Sequence, residues 1–178
     1  LRERGASATF FLVGSRIAGN EKLVLRMRDE GHQIGNHSWD HKELRNVSTA
    51  ILYREIGFTD EAIRGICGGE GYWVRPPYGL LGKSQRACLS VPLIHWSVDP
   101  EDWKLLDAQK VSAAVLKEVR PGDIVLLHDI YGSSVDAAFQ IIDALEEQGY
   151  ECVTVEELLA LYGVVPQKGR FYTSARQK

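Results

Sequence analysis

The sequence predicts an α/β fold built on a parallel sheet or barrel. Short segments rich in β-formers alternate with segments whose apolar residues recur at helical spacing. Residues 124–127 form a continuous apolar run, the pattern of a strand covered on both faces. Reactive polar side chains follow the proposed strand ends, which in parallel α/β folds is the face where ligands bind. With 178 residues, 44% of them hydrophobic, the chain has material for one well-cored domain and is short for two.

Taken in order, residues 7–13 are apolar and read as a buried strand. A helix is expected over 20–30, with Leu23, Val24 and Met27 facing inward and Gly31 ending it. Residues 33–36 make a short strand leading to His37. Ile51, Leu52, Ile56, Ala62, Ile63 and Ile66 mark a longer helical region with a break near Gly57. The glycines at 65, 68, 69 and 71 lack the strand-to-helix context of a phosphate cradle and read as a turn. Residues 93–98 are a strand; Val111, Ala114, Val115 and Val119 mark a helix that Pro121-Gly122 terminates. After the 124–127 strand, Ser134 is a candidate cap for a helix with Ala138, Phe139, Ile142 and Leu145 on its apolar stripe. Cys152-Val153 supplies a short strand, and Thr154-Val155-Glu156-Glu157 fits a capping box. Beyond Gly163 the pattern fades into a polar tail, residues 164–178.

Composition excludes several classes. A net charge of -3 with pI ≈ 6.0 gives no electrostatic footprint for nucleic acid. No apolar run approaches membrane-spanning length, and Leu1-Arg2-Glu3-Arg4 has no signal-peptide pattern. Cys67, Cys88 and Cys152 are scattered without metal-type spacing, so buried free thiols are expected.

His37, Arg75, Asp99 and His128 each lie at or just past a proposed strand end. In His37-Ser38-Trp39-Asp40-His41 two imidazoles stand four residues apart; in a helix they would share one face and suit one divalent metal. Ser38 replaces the glutamate that a zinc protease helix carries after its first histidine, so that chemistry is excluded. Two histidines leave a metal short of ligands, and a pair of surface histidines is the competing reading. His128 is either a histidine bonded at a strand end or a proton donor, with Asp99 or Asp102 as its carboxylate partner. Arg75-Pro76-Pro77-Tyr78-Gly79 is stiffened by its prolines. Such a loop either aims the Tyr78 N–H at a reacting oxygen and Arg75 at a carboxylate, or is a tight connection. Trp103 and Leu126 line a small apolar pocket or are plain core.

These segments resemble one family. Ala8-Thr9-Phe10-Phe11, Gly35-Asn36-His37-Ser38-Trp39-Asp40-His41, Arg75-Pro76-Pro77-Tyr78-Gly79, Asp99-Pro100-Glu101-Asp102-Trp103 and Leu126-Leu127-His128-Asp129 occur in the order found in polysaccharide deacetylases, the NodB-homology or carbohydrate esterase family 4 enzymes. The resemblance runs from Ala8 to about Leu161. It implies a distorted (β/α) barrel and metal-dependent deacetylation of N-acetylated glycans. It makes His37 and His41 metal ligands, and His128 the catalytic acid tuned by Asp102. Arg75 would orient the base, Tyr78 would offer its N–H to the oxyanion, and Trp103 and Leu126 would wall the acetyl pocket. Zinc, or a similar divalent ion such as cobalt, is the implied cofactor. Peptidoglycan N-acetylglucosamine is the first expected substrate; chitooligosaccharides and acetylated xylan are the alternatives, as is a non-catalytic glycan-binding role. A secreted or cell-surface location is implied as well.

One departure matters. The family's Thr-Phe-Asp-Asp motif, which carries the base and the aspartate ligand, belongs upstream of Ala8, and no Asp precedes Asp29. The expectation is therefore an N-terminally incomplete domain over residues 1–163, lacking its first strand. Its partner segment would be supplied by a longer protein or a separate polypeptide.

Overall fold

A computed structural model describes residues 1–176. Its elements are β1 (Thr9–Leu12), α1 (Glu21–Asp29), β2 (Gln33–Asn36), α2 (Thr49–Cys67), α3 (Lys83–Ala87), β3 (Leu93–Ile94), α4 (Asp102–Leu105), α5 (Ala108–Glu118), α6 (Gly132–Glu147), α7 (Val155–Leu161) and β4 (Phe171–Tyr172). They fall into two compact units. One comprises Thr9–His95 and Val165–Tyr172; the other comprises Leu1–Ala8, Trp96–Val164 and the residues from Thr173 on. No described helix is long and apolar enough to cross a membrane.

The unit containing β1 is organised by parallel pairing, as the alternating sequence pattern requires. β1 pairs with β2 from Thr9↔Gln33 to Leu12↔Asn36, and β3 pairs with β4. Val74 joins the two pairs through parallel bridges to Asn36 and Leu93. Two apolar clusters support this arrangement. Ile17, Val24, Ile34 and Ile63 form one, while Leu44, Leu52, Ile56, Val74, Leu89 and Leu93 form the other. α1 contributes Val24 and Met27, but Leu23 is 47% exposed, so the inward face is narrower than its apolar residues suggest.

The other unit is mostly helical. Val98 bridges Val125 in parallel, and Val98, Val111, Val115, Ala137, Ile141 and Leu145 form its core. The expected strand at 124–127 is reduced to that bridge. The buried face of α6 carries Ser134, Ala137, Ile141 and Leu145, one residue around from the expected stripe; Ala138, Phe139 and Ile142 are half-buried. Cys152-Val153 is not a strand, although Cys152 O accepts from Ser7 N–H at 2.8 Å. The capping box at Thr154 and Glu157 is formed as its spacing requires. All three cysteines are free and half-buried.

Two further expectations are corrected. The stretch after Gly163 is more than a polar tail: Phe171 and Tyr172 pair with Leu93 and Ile94. A two-residue strand is too short for alternation to reveal it. Residues 177 and 178 of that stretch lie outside the described residues. α2 runs unbroken from Thr49 to Cys67, because Gly57 holds ordinary helical backbone and the apolar residues on either side continue one buried face.

The two glycines Gly57 and Gly35 should respond oppositely to alanine. A Cβ at Gly57 meets nothing within 4 Å, so Gly57→Ala should stabilise by about 0.5–1 kcal/mol. At Gly35 a Cβ would lie 2.5 Å from Phe11 Cδ1 and 3.0 Å from Trp73 O, so Gly35→Ala should cost about 1–3 kcal/mol. Urea unfolding measures both; a destabilised Gly57→Ala protein would contradict the unbroken helix.

Candidate functional site

The histidine pair does not sit on a helix. β2 ends at Asn36, and residues 37–43 form a loop in which Ser38 (φ 66) and His41 (φ 60) are left-handed. Non-glycine residues reach that region at a cost and persist there when their surroundings hold them. The turn brings the two imidazoles to a centroid separation of 4.9 Å, edge to face. The convergence a helix would have given is thus reached by a strained loop.

Several buried polar contacts hold this loop. His37 N–H donates to Leu12 O at 2.9 Å, and Gly14 and Ser15 donate to Ser38 O and Trp39 O. Asn36, fully buried, accepts from Ser38 N–H at 2.9 Å and donates to Ile56 O and Asp60 Oδ1. Burial raises the Asp60 carboxyl above its ordinary range, and the Asn36 hydrogen bond partly offsets this. Glu55, also fully buried, accepts from the N–H groups of Trp39 and Asp40.

His37 is oriented by its other ring nitrogen. Nδ1 lies 2.6 Å from Arg75 O, and a carbonyl only accepts, so Nδ1 carries the hydrogen and Nε2 presents a lone pair. That is the tautomer a metal ligand needs. The donor chemistry therefore fits a divalent ion such as zinc as far as it goes. Among the described residues, no group of three or more His, Cys, Asp or Glu comes together as a metal site.

The 75–79 loop sits against the same pair. His41 and Tyr78 rings are 4.9 Å apart, and Tyr78 is left-handed at φ 58. His95 Nε2 lies 2.8 Å from Gly79 O and thus donates to it, tying down the loop's far end. The Arg75 guanidinium is buried over the Phe11 ring at 4.3 Å and donates to His95 O at 3.2 Å. Desolvation pushes its pKa down to about 10.

The second cluster lies in the other unit. Asp102, the first residue of α4 and fully buried, accepts from His128 Nδ1 at 2.7 Å, His128 N–H at 2.7 Å and Ser134 Oγ at 2.6 Å. Asp99 instead accepts locally from Glu101 N–H, so Asp102 is the carboxylate that meets His128. Burial pushes the Asp102 carboxyl up, but the hydrogen bonds from His128 and Ser134 outweigh it and leave it below the usual carboxylate range. Ser134 does not cap α6; the N-cap is Tyr131, and the hydroxyl serves Asp102 instead. Trp103 is 48% exposed beside Asp102, whereas Leu126 is buried, its N–H donating to Val98 O.

Sequence reasoning passes over Glu55 and gives Ser134 only the role of a helix cap. Each is a polar residue in register with a buried helix face, and that misfit was the available signal.

The depressed Asp102 carboxyl fixes a pH dependence. A group whose native pKa is lowered contributes stability that is present above its unfolded value, here 3.8, and lost as pH falls through the lower native value. Asp102→Asn, which turns donors onto donors, should cost about 1–3 kcal/mol near pH 7. The gap from the unsubstituted protein should narrow as pH falls below the ordinary carboxylate value of 3.8 and through the lower native one. Denaturant unfolding across pH measures it, and a constant gap would contradict the assignment.

Comparison with known proteins identifies the family. Residues 1–90 match the family described as polysaccharide deacetylase. The chain is 41% identical over 172 residues to the peptidoglycan-N-acetylglucosamine deacetylase PgdA of Listeria monocytogenes, covering 97% of this chain and 36% of that protein. It thus spans little more than a third of that relative's length. It is 33% identical to a chitooligosaccharide deacetylase of Bradyrhizobium, over 89% of this chain and 80% of that protein. Its structure is similar to a family 4 acetyl xylan esterase from Clostridium thermocellum in complex with a cobalt ion. The TM-score is 0.92 at 31% identity, over 98% of this chain and 88% of that one. With sequence, fold and motif order in agreement, this chain belongs to the polysaccharide deacetylase family and has the α/β fold of its NodB-type, family 4 members.

Proposed function

We propose that this chain deacetylates N-acetylated glycans with a divalent metal, zinc foremost, and acts at the cell wall or outside the cell. The observation that carries the reading is the Arg75 O···His37 Nδ1 contact, which selects the ligand tautomer beside a second converging imidazole. Peptidoglycan N-acetylglucosamine is the proposed substrate, supported by the likeness to the Listeria enzyme.

His37 and His41 would hold the ion, which when bound polarises the acetamide carbonyl and makes water a competent nucleophile. The Tyr78 N–H is the proposed donor to the carbonyl oxygen as charge develops there. Asp102 fixes Nδ1–H of His128, so a protonated ring offers its second proton from Nε2 to the departing amine. Ser134 locks the carboxylate in place, so the imidazole turns little. Trp103 and Leu126 are the proposed apolar walls for the acetyl methyl. With two imidazoles from the described residues, the remaining ligand and the base are proposed to be carboxylates of a Thr-Phe-Asp-Asp segment, with Arg75 the proposed residue that orients the base.

Acetate release from peptidoglycan, chitin oligomers and acetylated xylan tests this, with and without that segment and with and without zinc. Release should need both, and should be fastest on peptidoglycan. His128→Ala should keep the metal and lose roughly a hundred- to ten-thousand-fold in turnover. His37→Ala should lose metal and activity together. Retained glycan binding with no acetate from any substrate, metal and segment present, would instead establish a non-catalytic glycan-binding module.

A further inference from the structure

We propose that Glu55 is a positioning residue for the His37–His41 pair: its carboxylate imposes the loop conformation that brings the two rings together. The inference rests on the reading of that pair as a metal site. Glu55 lies mid-way along α2, on the face shared by Leu52, Ile56, Thr59 and Ile63, where the helix is otherwise apolar or hydroxylated. It is 0% exposed. A carboxylate withdrawn from water is retained only where donors meet it.

The donors are two successive backbone N–H groups of the loop. Trp39 N–H and Asp40 N–H both reach Oε2 at 3.1 Å, while Arg54 Nη2 lies 3.3 Å from Oε1. Successive N–H groups flanked by left-handed residues form a concave anion site, and here Ser38 and His41 provide the flanks. The loop's anion is thus internal. It comes from a helix whose own position is set by core packing at Leu52, Ile56 and Ile63. Thr59 Oγ1 bonds back to Glu55 O one turn on, and Thr59 also crowds Gly14, which donates to Ser38 O. Geometry therefore passes from a rigid helix through Glu55 to residues 39 and 40, and from them to the imidazoles on either side. Neither residue 38 nor residue 41 is glycine or asparagine, so nothing local to the chain favours the left-handed turn.

The test compares Glu55→Leu and Glu55→Gln with a control on the exposed side of α2, Glu61→Ala. Three readouts serve: amide exchange at Trp39 and Asp40, the nuclear Overhauser contact between the two rings, and Co²⁺ affinity by titration. Glu55→Leu should raise exchange at both amides at least about tenfold above that of neighbouring α2 amides, and abolish the ring contact. Co²⁺ affinity should fall by about ten- to a hundredfold. Glu55→Gln keeps an oxygen acceptor without the charge and should recover part of each effect, leaving a several-fold loss. Glu61→Ala should change none of the three. If Glu55→Leu does not fold, Glu55→Gln decides, and an affinity and exchange pattern equal to the unsubstituted protein would overturn the proposal. An intact ring contact in a folded Glu55→Leu protein would do the same. If the unsubstituted protein takes up no cobalt even with the Thr-Phe-Asp-Asp segment supplied, the metal reading fails, while ring contact and exchange still decide the role of Glu55.

Discussion

Ser38 and His41 are left-handed within four residues of each other, and the strain of that turn is offset by polar contacts reaching it from β1, Gly14, Asn36 and α2. The arrangement around the histidines depends on this constraint. Relaxed to extended backbone, the loop would keep both side chains on one face but set them about 13 Å apart along the chain, and the rings would part. Held as it is, it sets His37 against Arg75 O and His41 against the Tyr78 ring. The 75–79 loop is in turn fastened by His95 and by the buried Arg75 side chain. Strained backbone, buried cation and oriented imidazole thus occur in one neighbourhood, as expected where structure has been given up for chemistry.

The Asp102–His128 couple is built on the opposite principle. No left-handed turn is needed at His128; a single buried carboxylate gathers three donors and so fixes both the ring and the backbone of the residue it serves. Each oxygen of Asp102 is used, which is why the carboxyl stays ionised despite complete burial. The left-handed Glu101 just before it starts α4 so that Asp102 can point inward while Trp103 remains at the surface.

Much of this was legible in the sequence because it depends on local signals. Parallel alternation, the places of β1, α1 and β2, the Thr154 capping box and the position of His37 just past β2 follow from periodicity and capping chemistry, whereas the expected 93–98 strand is reduced to Leu93–Ile94 and a bridge at Val98. The His37–His41 convergence was foreseen through the wrong geometry. Four-residue spacing implies a helix, and no glycine or asparagine announces the left-handed residues that produce it instead. Gly57 misled in the other direction: its helix cost is real, but burial of Leu52, Ile56 and Ile63 overrides it. Leu23 reads as buried because apolar spacing gives the direction of a helix's inward face and not the width that its neighbours cover. β4, two residues long, is defined wholly by its partner β3. Glu55 and Ser134 make long-range contacts; the first shows beforehand only as a polar residue on a buried stripe, and the second reads as a local cap.

This loop is proposed to make His37 and His41 a ligand pair for one divalent ion. X-ray absorption on the cobalt-loaded protein tests it most directly. The account predicts two imidazole nitrogens in the first coordination shell at about 2.0–2.1 Å, falling to one in His41→Ala. A shell made only of oxygen donors, or one unchanged by His41→Ala, would contradict it.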